Sequence, residues 1–176
     1  MKEQDFSQLR INSPRLLLVP STGQFSSDTF KEYTEEIARY MYQKPYESEE
    51  SARKTLSEVF EKMKLGSIIS LTLLDKDSEE FIGRASLLEV DTETPEIGIW
   101  IKKSAHRKGY AREAIGVLID WVDKNIDYKY LRYPVDKRNP RSAEIAKSLG
   151  GVIGKEYKTE NWAGELDDIE YWIYKK

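Results

Sequence analysis

The sequence predicts a mixed α/β fold in which a central sheet of six to seven strands is flanked by about four helices. Apolar residues recur every three or four positions in some segments and at alternate positions or in short runs in others, which distinguishes helices from strands. These segments follow the order β-α-α-β-β-β-α-β-α-β-β along the 176 residues. Residues 95–136 join two strands through a helix, so we expect a right-handed parallel crossover there.

The first third of the chain is predicted to contain one strand and two helices. Residues 10–19 predict a strand, and residues 27–43 carry an apolar stripe with helical spacing. A second helix is predicted over residues 48–64, because Ser48 is a suitable N-cap and Gly66 a suitable C-terminal stop.

The remainder of the chain predicts six more strands and two more helices. The strands are expected at residues 67–74, 81–90, 95–102, 129–136, 151–158 and 168–175. The helices are expected at residues 110–124 and 140–149, and a polar loop is expected between the last two strands. The length and the unbroken succession of elements predict one domain, residues 1–176.

The composition excludes several classes of protein. A net charge of −3 gives no basic field for nucleic acid. The chain has no cysteine and a single histidine, His106, which excludes disulfides, a cysteine nucleophile and a histidine-rich metal cluster. No apolar run has the ~18–20 residues of a membrane span, and Met1–Ser7 lacks the apolar stretch of a signal peptide. We therefore expect a cytoplasmic protein that binds no metal, nucleic acid or membrane.

The loop before the third predicted helix has the features of an anion site. Gly109 allows a tight turn and a close ligand approach, and the first amides of a helix have no partner within the helix. These amides and the helix dipole favour an anion. The alternative is an ordinary solvated basic connection. The candidate ligands of a pyrophosphate are Arg107, Lys108, Gly109, Tyr110, Ala111 and Arg112.

A second polar pattern follows the strand at residues 129–136. Asn139 and Ser142 lie where that strand ends, and ligands of open α/β sheets bind at this edge. The alternative is structural, because Asn139 can cap the next helix with Pro140 at its first position. The usual glycine-rich nucleotide signatures are absent, so a dinucleotide or a triphosphate is not the expected ligand.

Several of these segments are similar to one known family. Arg10–Leu16, Glu96–Ile101 (Glu-Ile-Gly-Ile-Trp-Ile) and Lys108–Ala114 (Lys-Gly-Tyr-Ala-Arg-Glu-Ala) resemble the GNAT N-acetyltransferases, and most closely the ribosomal-protein N-terminal alanine acetyltransferases of the RimJ/RimL type. The Asn-x-x-Ser pattern that begins at Asn139 also resembles the GNAT pattern. The resemblance covers about residues 10–175. It implies the GNAT fold, with splayed parallel strands, and acetyl transfer from acetyl-CoA to an amine without a metal.

The resemblance also implies how acetyl-CoA is held. The donor is expected in a cleft between the strands at 95–102 and 129–136. Its pantetheine arm is expected to pair with the backbone near Ile101 and Lys103, and its pyrophosphate to lie on residues 107–112. Asn139 and Ser142 are expected near the thioester.

Three positions depart from the family pattern. Gly151 stands where a phenylalanine commonly follows the helix-ending glycine. His106 stands where arginine or glutamine is usual at the start of the loop motif. Ala146 stands where many relatives have a tyrosine that protonates the leaving thiolate. This departure leaves that proton to Ser142, water or another group.

Glu96 is the predicted general base, because it begins the strand beside the expected thioester and burial raises the pKa of a carboxyl group. Glu89 and Asp91 are rival candidates, and a strand-end charge without a catalytic role is the alternative. The acceptor amine is expected between the first two helices and the loop at 159–168, which has Trp162 at its tip. Tyr40 and Trp162 are the predicted acceptor-binding residues.

Three functions remain open. The closest branch implies a protein N-terminal amine, whereas a small amine such as a polyamine or an amino acid is the second candidate. A non-enzymatic acyl-CoA-binding module is the third. The aromatic side chains of the acceptor side could equally form the contact of a homodimer.

Overall fold

The computed structural model describes residues 4–175, which form eight strands and five helices. The strands are β1 (Ile11–Asn12), β2 (Leu16–Pro20), β3 (Ile68–Asp75), β4 (Phe81–Leu88), β5 (Glu96–Ile101), β6 (Tyr130–Asp136), β7 (Val152–Asn161) and β8 (Gly164–Tyr174). The helices are α1 (Ser26–Glu32), α2 (Glu35–Ala38), α3 (Glu49–Lys64), α4 (Tyr110–Asn125) and α5 (Pro140–Ser148). The mixed α/β class is confirmed, although the strands and helices are slightly more numerous than predicted. Met1–Glu3, which belong to the N-terminal segment considered above, and Lys176 lie outside the described residues.

Two predicted elements near the N-terminus are each divided in the structure. The strand predicted over residues 10–19 is a hairpin, in which Ser13 N donates to Leu16 O at 2.9 Å and Asn12 pairs with Leu17. The helix predicted over residues 27–43 breaks after α1, because Thr34 adopts an extended conformation and accepts from Ile37 N as the cap of α2. Local capping therefore overrode the apolar periodicity on which the longer helix was predicted.

The eight strands form one sheet in the order β1-β2-β3-β4-β5-β6-β8-β7. The neighbours β5 and β6 are parallel, as predicted for the crossover unit, and the other neighbouring pairs are antiparallel. Within residues 4–175, β5 and β6 are in register at a single pair, Glu96 with Arg132. Beyond that pair the two strands separate, which confirms the predicted splay and opens the middle of the sheet.

The two faces of the sheet differ in chemistry. One face packs against α4 through Ile97 and Ile101 of β5, which join Ile115 and Leu118 in the main hydrophobic core. The opposite face presents Trp100, which packs on Tyr33 after α1 with ring centroids 5.0 Å apart. Because side chains alternate along a strand, this second face also receives Glu96 and Gly98.

The polar loop predicted between the last two strands is instead a tight hairpin. Strand β7 continues to Asn161, β8 begins at Gly164, and Glu160 pairs with Glu165. Gly164 has a φ of 125°, and Asn161 Oδ1 accepts from Ala163 N at 2.8 Å. Strand β7 lies at the edge of the sheet, where charged side chains are tolerated on both faces, so its sequence lacks a clear alternation.

No helix within residues 4–175 combines the length and the apolar character needed to cross a membrane.

Candidate active site

Two cavities meet at the opening between β5 and β6. The α4-side cavity has a volume of ≈ 550 Å³ and lies between β5, the start of α4 and the start of α5. The α3-side cavity has a volume of ≈ 370 Å³ and lies on the opposite face of the sheet, below α3. Both are lined by Tyr40, Met41, Ile99, Trp100, Tyr133, Asn139 and Ser142.

The loop before α4 presents unpaired amides to the α4-side cavity. None of the backbone N–H groups of Arg107–Arg112 donates to another residue in the described part of the chain. Gly109 caps α4 in the left-handed region, with a φ of 79°, a conformation that glycine adopts without steric cost. A row of free amides at a helix N-terminus attracts an anion.

Arg15 fixes this loop from the β1–β2 hairpin. Its Nη1 donates to the carbonyl of Lys108 at 2.9 Å, and its Nε donates to Glu113 in the first turn of α4 at 2.7 Å. The Arg15 guanidinium also lies 4.5 Å from the centre of the Tyr110 ring. The loop conformation therefore depends on a residue almost one hundred positions away in the sequence.

Nine of the ten residues predicted to hold the donor line the α4-side cavity. They are Ile101, Lys103, Arg107, Gly109, Tyr110, Ala111, Arg112, Asn139 and Ser142. Lys108 does not line it and contributes its carbonyl to Arg15 instead. Arg39 and Arg141, which were not predicted, add two further cations to the lining.

His106 has a defined contact in the structure. Its Nε2 donates to the carbonyl of Ile101 at 2.7 Å. Lys102 N donates to the carbonyl of Ile82, on the β4 side of β5. Backbone groups of successive residues in a strand point to opposite sides, so the amide groups of Ile99 and Ile101 face the opening between β5 and β6. His106 therefore occupies the carbonyl of Ile101, while the amide of Ile101 faces the opening.

Ser142 lies at the meeting point of the cavities. Asn139 caps α5 by accepting from Ser142 N at 3.3 Å, with Pro140 at the first helical position, so its predicted capping role is confirmed. The Ser142 hydroxyl is 2.9 Å from the hydroxyl of Tyr133, and burial raises the pKa of Tyr133 to about 12. Ala146 is fully buried and lines neither cavity.

Glu96 lines the α3-side cavity with a side chain that is 18% exposed. Burial raises its pKa, against the opposing effect of Arg132, whose Nη1 is 3.1 Å from the Glu96 carboxylate. The negative charges of Glu89, Glu170 and Asp168 raise the pKa further. The rivals Glu89 and Asp91 are exposed and line neither cavity.

Two buried aspartates also line the α3-side cavity, and their electrostatics differ. Asp136 accepts from Arg138 Nε at 2.7 Å, and this contact lowers the pKa of Asp136 to about 2. Asp168 is buried, which raises its pKa, and its side chain accepts a long hydrogen bond from the Tyr42 hydroxyl at 3.5 Å. Glu160 and Glu165, which belong to the segment 159–168 beside which we expected the acceptor, line neither cavity.

The two predicted acceptor residues differ in position. Tyr40 lines both cavities. Trp162 lies at the tip of the β7–β8 hairpin, 37% exposed, and lines neither cavity. Its Nε1 donates to the carbonyl of Ala38 at 3.2 Å, so it attaches the hairpin to α2.

Sequence reasoning missed two polar residues at the cavities, namely Arg84 and Tyr133. Each lies inside a strand whose pattern indicated only sheet structure. Their shared position follows from strand pairing, which brings together residues from β4 and β6. Within residues 4–175, no cluster of histidine, aspartate and glutamate is arranged to hold a metal ion.

Comparison with known proteins gives consistent results. Residues 15–152 match the family model described as an acetyltransferase (GNAT) domain. The N-acetyltransferase p20 of Bacillus licheniformis is 25% identical over 116 residues, which is 65% of this chain and 65% of that relative, so the match spans about two thirds of the relative's length.

Solved structures share the fold at low sequence identity. A ribosomal-protein alanine acetyltransferase from Vibrio fischeri has a TM-score of 0.84 at 18% identity, with 96% of this chain and 98% of that chain covered. The spermidine N-acetyltransferase from Vibrio cholerae, in complex with CoA and spermine, has a TM-score of 0.80 at 18% identity, with 92% and 96% covered. The family match, which covers more than half of the chain, and these folds lead to one assignment. The chain belongs to the GNAT family of acetyl-CoA-dependent N-acetyltransferases.

Proposed function

We propose that this protein transfers an acetyl group from acetyl-CoA to a primary amine, with the donor in the α4-side cavity and the amine in the α3-side cavity. The observation that carries the proposal is the meeting of the two cavities at Tyr133 and Ser142, with Glu96 on the α3 side. A donor and an acceptor that enter from opposite faces of the sheet can thus react without displacing each other.

The residues of the α4-side cavity fit acetyl-CoA. The free amides of residues 107–112, together with Arg107 and Arg112, suit a pyrophosphate. The outward-facing amides of Ile99 and Ile101 suit an extended pantetheine arm, which would pair with β5 like an added strand. Bound there, acetyl-CoA supplies an activated thioester.

The chemistry requires two proton transfers. Glu96 accepts a proton from the amine, directly or through water, and the raised pKa of a partly buried carboxyl group suits that task. The amine nitrogen bonds to the carbonyl carbon of the acetyl group, and the bond from that carbon to sulfur breaks. Ser142 is the proposed proton donor to the departing thiolate, because Ala146 leaves no tyrosine at the usual position. Its hydroxyl regains a proton from water, and Glu96 releases the proton of the amine to water.

The α3-side cavity favours a small amine as the acceptor. Its volume of ≈ 370 Å³ lies near the lower end of the range of small-molecule sites. A protein N-terminus is the second candidate, supported by the sequence resemblance and by the exposed ring of Trp162 beside α2. The role of Trp162 in binding an acceptor stays a prediction.

The test is release of CoA from acetyl-CoA with a panel of amino acids, polyamines and N-terminal peptides. Wild type and Trp162→Ala should be compared, since Trp162 lies where a peptide, but not a small amine, would extend. Turnover of peptides alone, with a strong loss in Trp162→Ala, would favour the protein substrate. Failure of every amine would contradict the proposed acetyl transfer.

A further inference from the structure

Arg84 is a cation without a counter-ion on the face of the sheet that lines the α3-side cavity. It lies in the middle of β4, opposite Thr72 of β3 and Trp100 of β5. Its Nη1 is buried without a hydrogen-bond partner, and no ion pair joins Arg84 to a carboxylate in the described part of the chain. By contrast, the arginines at positions 15, 53, 132 and 138 all pair with carboxylates.

Trp100 leaves a second donor unfilled at the same place. It is 5% exposed, it lines the α3-side cavity, and its indole N–H has no acceptor among the described residues. A buried donor without an acceptor costs about 1–3 kcal/mol, and more when it is charged. Arg84 and Trp100 are directly opposed in the sheet, and each has a buried N–H group without an acceptor. This arrangement indicates that a ligand with hydrogen-bond acceptor atoms binds to both groups.

The opposite side of the cavity carries the negative charge. Strand β6, which lies across the opening from Trp100, ends at Asp136, and Asp136 lines the same cavity. Asp136 pairs with Asp168 of β8. Arg138 already neutralises Asp136 and Arg132 pairs with Glu96 at 3.1 Å, whereas no ion pair joins Asp168 to a cation in the described part of the chain, so Asp168 remains for a cationic group.

We infer that the acceptor is a small amine that also bears a carboxylate, that is, an amino acid, and that Arg84 and Trp100 bind this carboxylate. The amine then lies on the side of Glu96 and Asp168, next to the opening between β5 and β6. A polyamine would place a second cation beside Arg84 and is disfavoured by charge repulsion. This inference rests on the proposed acetyl transfer and narrows its acceptor.

The test compares kcat/KM for aliphatic amino acids, their methyl esters and the amines of the same skeleton without the carboxylate. Wild type should prefer the free amino acids by about 10- to 100-fold, the effect of a charge-assisted hydrogen bond. Arg84→Gln should reduce that preference to less than about threefold, with unchanged calorimetric affinity for acetyl-CoA. Trp100→Phe, which keeps the ring packing, should reduce it by a few-fold. Arg53→Gln on the exposed surface of α3 is the matched control and should keep the full preference.

Several outcomes would overturn the inference. Equal turnover of amino acids and simple amines by wild type would do so, as would a preference that survives in Arg84→Gln. Faster turnover of peptides with an acidic first residue than of free amino acids would also contradict it. If Arg84→Gln fails to fold, Arg84→Lys, which keeps the charge but loses the two-pronged geometry, should show a partial loss of preference.

A second readout separates this inference from the proposed function. Binding of an N-acetyl amino acid and of the matching N-acetyl amine is measured by calorimetry in the presence of CoA. If the N-acetyl amino acid binds more tightly than the N-acetyl amine, and Arg84→Gln abolishes this difference, the inference is supported. This holds even if no amine releases CoA, because a lack of CoA release contradicts only the proposed acetyl transfer. Equal binding of the two compounds refutes the role of Arg84 whatever the turnover.

Discussion

Glu96→Gln tests the assignment of the general base. Glutamine keeps the size of the side chain but accepts no proton, so the loss expected in kcat/KM near neutral pH is about 10²–10⁴-fold. This loss corresponds to about 2.7–5.4 kcal/mol in the activation free energy. Affinity for acetyl-CoA should stay within a few-fold, because Glu96 does not line the α4-side cavity.

The same substitution should change the stability of the fold only slightly. Burial raises the pKa of Glu96, so its ionised form is less favourable in the folded than in the unfolded protein. Its contribution to stability is therefore present below its ordinary pKa and is lost as the pH rises through the higher folded value. Arg132 keeps Glu89 and the carbonyl of Thr94 as partners in the variant. We expect the free energy of unfolding at pH 7 to change by less than about 1 kcal/mol, or about 2–4 °C in Tm.

The assays are the pH profile of kcat/KM, with CoA release as the readout, and thermal unfolding of each variant. Wild type should lose activity towards acid pH as Glu96 becomes protonated, with a midpoint above the ordinary glutamate value. In Glu96→Gln the pH profile should lack the fall caused by protonation of Glu96 and should keep the fall caused by protonation of the amine substrate. Glu89→Gln is the matched control, because Glu89 shares Arg132 but is 60% exposed and lies outside both cavities. A full rate in Glu96→Gln together with a slow Glu89→Gln would refute the assignment.

Three further predictions concern the donor site, the thiolate and a buried aspartate. Gly109→Trp should weaken the binding of acetyl-CoA, measured by calorimetry, at least tenfold, because it disturbs the row of free amides. The control is Gly150→Trp, where φ is also positive (86°) and no atom lies within 4 Å of an added Cβ, and it should leave the affinity unchanged. Equal effects of the two substitutions would contradict the amide site. Ser142→Ala should lower kcat about tenfold or more and should affect the affinity for acetyl-CoA less. If kcat and this affinity fall by the same factor, Ser142 binds the donor but does not donate the proton. Asp136 has a folded pKa of about 2, below its ordinary 3.8, so its contact with Arg138 stabilises the fold above pH ~4 and is lost as the pH falls towards 2. Asp136→Asn should therefore cost about 1–2 kcal/mol in urea unfolding at pH 7 and about half of that at pH 3, and a pH-independent cost would contradict the ion pair.

The predicted bounds of two elements were wrong because a helix cap or a strand partner outweighed the pattern of apolar and polar residues. Residues 27–43 have helical spacing, yet Thr34 caps a new helix there. The polar segment after residue 158 has the composition of a loop, yet pairing with β8 extends β7 to Asn161. A cap or a strand partner at the right distance can stabilise a conformation that the segment alone does not favour.

The sequence by itself determined the features that depend on residues close together in the chain. The turn at Gly109, the free amides that follow it and the cap at Asn139 are local, because a helix N-terminus needs only its own first residues and the cap before them. The same holds for the family assignment, since its motifs are short and continuous.

Only the tertiary structure decided which polar groups share the α3-side cavity. Arg84, Trp100 and Asp168 come from β4, β5 and β8, and their common face follows from strand register, since a shift of one residue would turn each side chain to the other face. Whether a buried charge has a partner is likewise set by those pairings. That Arg84 forms no ion pair within residues 4–175, and with it the expected carboxylate of the acceptor, could therefore not be deduced from the sequence.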